Sequence, residues 1–217
     1  MSARVLIPPF GPEARRVLAR ALAGGDLMTY PTETSYALGG NALDETLCAR
    51  IRALKGRPAE KALLLLVAGA EAAERLARDL HPGARALMAR FWPGPLTLVF
   101  RASPNLAPHL ADERGTVALR ASPHPVVREL LEIGGVPLIG TSANRSGEPP
   151  LLTAPGVLAA FGEAVALAID GGAAPGGAPS TLLDTTVLPF RLLRAGALHK
   201  SRIQAVLVET CVEAVPE

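Results

Sequence analysis

Apolar positions fall along this chain in two alternating patterns. Short continuous runs recur, and between them lie longer stretches with apolar residues three and four apart. The short runs read as strands: VLI (5–7), LMTYP (27–31), ALLLLV (62–67), PLTLVF (95–100), TVALR (116–120), VPLIG (136–140), ALAID (166–170), STLLDT (180–185) and FRLLR (190–194). The longer stretches read as helices. In 12–25, Val17, Leu18, Ala21 and Leu22 share a face and Gly24-Gly25 stops it. In 43–56, Leu47, Ile51 and Leu54 face inward behind Asp44 as a natural cap. AEAAERLARDL (70–80), PGARALMARF (82–91), PVVRELLEIGG (125–135) and SRIQAVLVE (201–209) complete the set. Helices and buried strands alternate with no linker or repeat, so the reading is one α/β domain over 1–217, around a large twisted sheet flanked by helices. GGAAPGGAPS (171–180) is the low-complexity stretch, and a flexible loop beside a site fits it.

Composition narrows this picture without changing it. Of 217 residues 49% are hydrophobic and 19% charged, so the chain can bury a sizeable core. A net charge of +2 permits an anionic ligand in a local basic site but not a coat of nucleic acid. Cys48 and Cys211 stand far apart outside any CxxC, and the four histidines lack HxxxH spacing, so neither a disulfide framework nor a metal site is expected. The apolar start is broken by Pro8, Pro9 and Pro12 rather than built as a signal peptide, and ALLLLVAGA is about half a membrane span. A cytoplasmic location is the expectation.

Four loops carry candidate chemistry. YPTETSYALGG (30–40) gathers Thr32, Thr34, Ser35 and Tyr36 after a strand, to bind a polar ligand or to cap a turn. LKGRPAEKALLLL (54–66) holds two of the chain's three lysines, Lys55 and Lys61, around Arg57, either a polyphosphate clamp or a solvated basic surface. LIGTSANRSGEPP (138–150) crowds Thr141, Ser142, Asn144 and Ser146 at a strand's carboxyl end, where amides and hydroxyls suit phosphate oxygens. APSTLLDTT with LLRAG (178–196) brings Ser180 and Arg194, and Arg120 likewise closes a buried strand. Walker A, GxGxxG and nucleophile-elbow spacings are all missing, so position and charge look more available than acid–base chemistry.

Taken in order, YPTETSYALGG, KGRPAEKALLLLV, FWPGPLTLVF, VALRASPHP, GTSANRSGEPP, DGG with GAPSTLLD, and LLRAG resemble the YrdC family, the L-threonylcarbamoyladenylate synthases. The resemblance spans about 30–196. It implies a YrdC-like α/β domain with a deep, positively charged cleft. It also implies a reaction in which L-threonine, bicarbonate and ATP, with Mg2+ accompanying the ATP, give threonylcarbamoyl-AMP and pyrophosphate. A downstream transferase then modifies adenosine 37 of tRNAs that read codons beginning with A. By motif match, Lys55 and Arg57 are the catalytic clamp. Arg57, Lys61, Thr116, Ser142, Asn144 and Arg194 line the ATP site, and Thr34, Arg120 and Ser180 hold threonine. Longer members carry a further C-terminal domain, and this chain resembles the single-domain form. It departs from the longer members in having Lys61 in place of Asn and Leu66 in place of a histidine, and it has SYALGG for VYGLG. A carbamoyl-adenylate former and an RNA-binding protein, for double-stranded RNA or tRNA, are the alternatives.

Overall fold

In the computed structural model, which describes residues 3–56 and 63–209, the expected α/β class holds. The strands, however, divide over two sheets instead of one. Many of them are only two to four residues long. Several partners are distant in sequence, Arg4–Leu6 with Leu167–Ile169 and Thr181–Asp184 with Leu96–Val99 among them, so the pattern of apolar runs does not show which strand pairs with which. The chain gathers into two compact units, the described residues of Met1–Lys61 with His124–Gly176, and of Ala62–Pro123 with Gly177–Glu217.

The first unit contains β1 (Arg4–Leu6), α1 (Pro12–Ala23), β2 (Met28–Pro31), β3 (Tyr36–Gly39) and α2 (Glu45–Lys55) from its first segment. Its second segment adds α5 (Pro125–Gly134), β8 (Leu138–Ile139), β9 (Thr141–Ser142), α6 (Ala154–Phe161) and β10 (Leu167–Ile169). The sheet order is β1-β10-β2-β3-β9, with β1 and β2 parallel to β10 and an antiparallel β2–β3 hairpin. Sequence reading took 32–40 for a loop, but Tyr36–Gly39 pairs with Met28–Pro31 as a second, fully buried strand. Asp44 caps α2 as expected, its Oδ1 accepting the Leu47 amide at 2.8 Å. Arg15 of α1 is paired with both Glu129 and Glu132 of α5. The buried Tyr30 hydroxyl donates to the Ile139 carbonyl at 2.5 Å, and Gly39 lies against the same pair.

The second unit contains β4 (Leu64–Leu66), α3 (Ala70–Leu76), β5 (Ala77–Arg78), α4 (Pro82–Phe91), β6 (Leu96–Ala102) and β7 (Thr116–Arg120), then β11 (Thr181–Asp184), β12 (Arg191–Arg194) and α7 (Lys200–Glu209). Its strands run β12-β11-β6-β7-β4, with β5 on the far side of part of β6. The helix expected over 70–80 stops at Leu76, because Ala77 and Arg78 turn extended and pair with Ala102 and Arg101. Strand pairing there overrides a sequence with good helix propensity. Alternation divides the sheet into two faces. Leu65, Leu98, Phe100, Val117, Leu119 and Leu183 lie on one, each at most 2% exposed. The opposite face carries Leu66, Thr97, Val99, Thr116, Ala118 and Arg120.

Two predictions follow from the first unit. A β-carbon at position 39 would collide with the Ile139 carbonyl and the Tyr30 hydroxyl. Gly39→Ala is therefore expected to cost about 1–3 kcal/mol of stability in urea unfolding, as overpacking does. His124 caps α5, its Nδ1 accepting the Val126 amide at 3.3 Å. Burial holds its imidazole below the ordinary 6.5, and the Glu33 carboxylate opposes this without reversing it. The unfolded chain then binds the proton more readily than the fold does, so this contribution is complete above about 6.5 and is lost as pH falls below it. Wild-type stability should drop between pH 7.5 and 5 by more than that of His124→Asn, whose cap does not titrate.

Candidate functional site

Lysine 55 is the last residue of α2, just before the left-handed Gly56 that ends the helix. Its ammonium is buried, with the residue 5% exposed. It donates to the Ser142 carbonyl, to the Asn144 carbonyl at 2.8 Å and to Asn144 Oδ1 at 3.1 Å. Among the described residues, these carbonyl and amide oxygens accept from it. Asn144 is held further: its Oδ1 accepts from Ser142 Oγ at 2.6 Å, and its Nδ2 donates to the Arg145 and Glu148 carbonyls at 2.9 and 2.7 Å. The lysine read as a phosphate clamp thus organises the SAN loop in this structure. It brings together Lys55, Ser142 and Asn144, all three of which were picked out from sequence. Arg57 and Lys61 lie outside the described residues.

Thr34 sits in the β2–β3 turn, half-buried, with its hydroxyl 3.2 Å from that of Thr32. Thr32 is the turn's anchor. Its hydroxyl donates to the Ser35 carbonyl at 2.7 Å and accepts the Thr34 and Ser35 amides at 3.3 Å each. The hydroxyl-rich loop therefore does the capping work that is one of its two readings, and Thr34 itself stays half-buried. Tyr36 donates to the Gly172 carbonyl at 2.7 Å and accepts the Gly171 amide at 3.2 Å, which ties the hairpin to the start of the glycine-rich stretch. Burial raises its phenol pKa above 10.

In the second unit, strand register assembles a row. Arg194 pairs with Leu182, Leu182 with Thr97, and Leu66 with Arg120. Because Leu98 faces Leu119, the next step along brings Arg120 level with Thr97. Side chains directly opposite across paired strands share a face. Arg194, Leu182, Thr97, Arg120 and Leu66 therefore form one line across five strands, with roughly 14 Å between the two arginine backbones at normal strand spacing. Ser180 joins it through a 2.8 Å hydrogen bond between its hydroxyl and that of Thr97. Arg194 donates to the Ser180 carbonyl at 2.9 and 3.2 Å and to its hydroxyl at 3.2 Å. The glycine of LLRAG makes this possible, since any β-carbon on Gly196 would strike the backbone of 179–181. Thr97 was missed from sequence; its signal is a lone hydroxyl at an alternating position in an apolar strand.

Thr116 lies on the same face as Arg120 but opens β7 where Arg120 closes it, about 13 Å away. Its amide and hydroxyl both bond Asp112, at 2.8 Å each. Burial pushes the Asp112 carboxyl up, and these bonds with Arg114 more than offset it, so the group sits below the ordinary carboxylate value. Arg114 also reaches the buried Asp184 at 3.5 Å. Among the described residues no group of His, Cys, Asp and Glu could hold a metal ion, and no helix is long and apolar enough to cross a membrane.

A row of two arginines, two hydroxyls and two leucines, and separately a lysine-ordered SAN loop, sit in a chain whose residues 20–196 match the Sua5/YciO/YrdC family model, described as telomere recombination. The chain belongs to the Sua5/YciO/YrdC family. This family domain is 40% identical over 194 residues to the threonylcarbamoyl-AMP synthase of Pyrococcus abyssi, covering 89% of this chain and 57% of that protein. It is 42% identical over 164 residues to the threonylcarbamoyl-AMP synthase of Chromohalobacter salexigens, covering 76% and 88%. The crystal structure of P. abyssi Sua5 complexed with L-threonine superposes with a TM-score of 0.88 at 37% identity, over 95% of this chain and 61% of that one. The Sua5/YciO/YrdC chain described here thus spans little more than half the length of its archaeal relative.

Removing the Lys55 ammonium leaves the half-buried Ser142 and Asn144 acceptors without this donor. Lys55→Met is expected to lower stability by about 1–3 kcal/mol in urea unfolding with no ligand present. Unchanged stability would mean that the ammonium does not hold the loop.

Proposed function

We propose that this chain is a threonylcarbamoyl-AMP synthase. The amine of L-threonine takes up CO2 from bicarbonate as a carbamate. A carbamate oxygen then displaces pyrophosphate from the α-phosphorus of ATP. The observation that carries the reading is the row in the second unit, where Arg120, Thr97, Ser180 and Arg194 meet across strands in a fold shared with a relative solved with L-threonine. In this reading Arg120 receives the amino acid's carboxylate as a charge-assisted pair, and Ser180 and Thr34 hold its polar groups. Arg194, Ser142, Asn144 and Thr116 line the nucleotide, with Arg57 and Lys61 on its phosphates. Lys55 acts through the SAN loop it positions. Such a displacement needs orientation and neutralised charge more than a protein nucleophile, and hydroxyls, amides and arginines supply both. Mg2+ enters as part of the ATP substrate. Leu66, at the end of the row beside Arg120, gives threonine an apolar neighbour where longer members place a histidine. The product would serve a cytoplasmic transferase that modifies adenosine 37 of tRNA.

The test is pyrophosphate release from ATP with threonine and bicarbonate each withheld. Release is expected to need both. Arg120→Ala should raise the threonine KM about tenfold to a hundredfold, the loss of a hydrogen-bonded charge. Release that needs carbamoyl phosphate instead, or none at all beside tight tRNA binding, overturns the reading in favour of a carbamoyl-adenylate former or an RNA-binding protein.

A further inference from the structure

At one corner of the second unit's sheet, β5 sets Arg78 directly opposite Arg101 of β6. Opposed residues of an antiparallel pair share a face with β-carbons roughly 4.5–5.5 Å apart, and like charges there repel. A strand of two residues has few ladder bonds to set against that repulsion. The surroundings neutralise it only in part. Arg78 gives its Nε to the Ala102 carbonyl at 3.2 Å and approaches Asp79 at 3.8 Å, both side chains being exposed. Among the described residues the Arg101 guanidinium makes no hydrogen bond or ion pair.

The two arginines open on a groove of about 260 Å3, lined also by Asp79, His81 and the 185–188 loop. Asp79 is the one carboxylate among the described lining residues, against two guanidiniums and an imidazole. Its backbone is left-handed, with φ of 55°, so the turn that shapes the groove carries a conformational cost. On the other side Val187 and Leu188 stand 46% and 59% exposed. The Thr186 hydroxyl is committed to Asp184 at 2.6 Å and the His81 Nδ1 accepts the Gly83 amide at 3.1 Å, so against the single Asp79 carboxylate the charged donors of the lining are the two guanidiniums.

We propose that this groove binds an oxyanion carried on a small apolar body, the chemistry shared by phosphate monoesters and carboxylates. Arg78 and Arg101 share the anion, which relieves their repulsion, and Val187 and Leu188 cover the apolar part. The groove lies at the opposite end of the same strands from the Arg120–Ser180–Arg194 row, with Arg101 directly opposite Thr116, which the proposed function places along the nucleotide.

The probes are phenyl phosphate and phenylacetate, titrated into the isotopically labelled full chain while amide resonances are followed, with sodium chloride at equal ionic strength as control. The expected result is saturable shifts at Arg78, Asp79, Arg101 and Thr186 with at least one probe; the tighter probe identifies the source of the oxyanion. Arg101→Gln should weaken this binding about tenfold, the loss of one charge-assisted bond, and Arg78→Gln with Arg101→Gln should abolish it. Arg101→Gln alone should raise the thermal midpoint of the free protein, and the bound probe should raise the wild-type midpoint but not that of the double variant. Shifts reproduced by sodium chloride, no saturable shifts with either probe, or equal affinity in wild type and double variant would each overturn the proposal.

Discussion

The pairing of Leu98 with Leu119 sets the geometry of the second unit. β6 and β7 lie at the centre of its sheet, and every neighbour takes its register from them. A slip of one residue between β6 and β7 would turn one strand's pair, Leu98 and Phe100 or Val117 and Leu119, off the apolar face and bring Thr97 or Arg120 into it. The apolar side chains that stabilise the sheet therefore also fix where the two arginines and two hydroxyls meet. Burying four large apolar side chains at about 1.5–3 kcal/mol each outweighs what any single hydrogen bond in the row contributes. The site inherits its precision from the core beneath it.

In the first unit a polar interaction plays the corresponding part. A buried ammonium without partners would be strongly disfavoured, and Lys55 has the Ser142 and Asn144 oxygens around it. Since the same oxygens belong to a loop of two-residue strand and turn, the charge holds in place a segment that has little regular structure of its own. The scarcity of lysine in an arginine-rich chain makes sense here. A compact ammonium can serve the Ser142 and Asn144 oxygens together as a point charge, whereas a guanidinium presents its donors as a rigid planar fork.

Much of this could be read from the chain. The apolar pattern marks β7 to the residue, Asp44 reads as a cap, and the residues of the SAN loop, Ser180, Arg120 and Arg194 stand out in the sequence itself. Their strength as signals is physical: polar residues at the ends of apolar runs have to be accounted for. What could not be read was pairing. Tyr36–Gly39 looked like loop because its hydroxyl neighbours dominate the pattern, and Ala77–Arg78 looked like helix because only the distant Ala102 and Arg101 make it a strand. Thr97 stayed hidden for the same reason, as its role exists only once β11 lies beside β6. Lys55 is legible as a charge between a helix and a buried strand, but its bonds to the Ser142 and Asn144 oxygens are not, because a sequence shows a charge and not the direction in which it points.

Ser180 and Thr181 are adjacent and face opposite ways. The first hydroxyl bonds Thr97 and Arg194, while the second donates to the Leu198 carbonyl at 2.7 Å and accepts the Leu198 amide at 3.0 Å, just before α7. Two consecutive residues thus rivet the arginine row to the entrance of the last helix. Local opening of that helix cannot be a private event: it loosens the peptide on which Ser180 stands. An opening that reaches back to Leu198 breaks both bonds of the Thr181 hydroxyl and frees the peptide next to Ser180, so disorder at the entrance of the last helix is passed to the arginine row through a single residue.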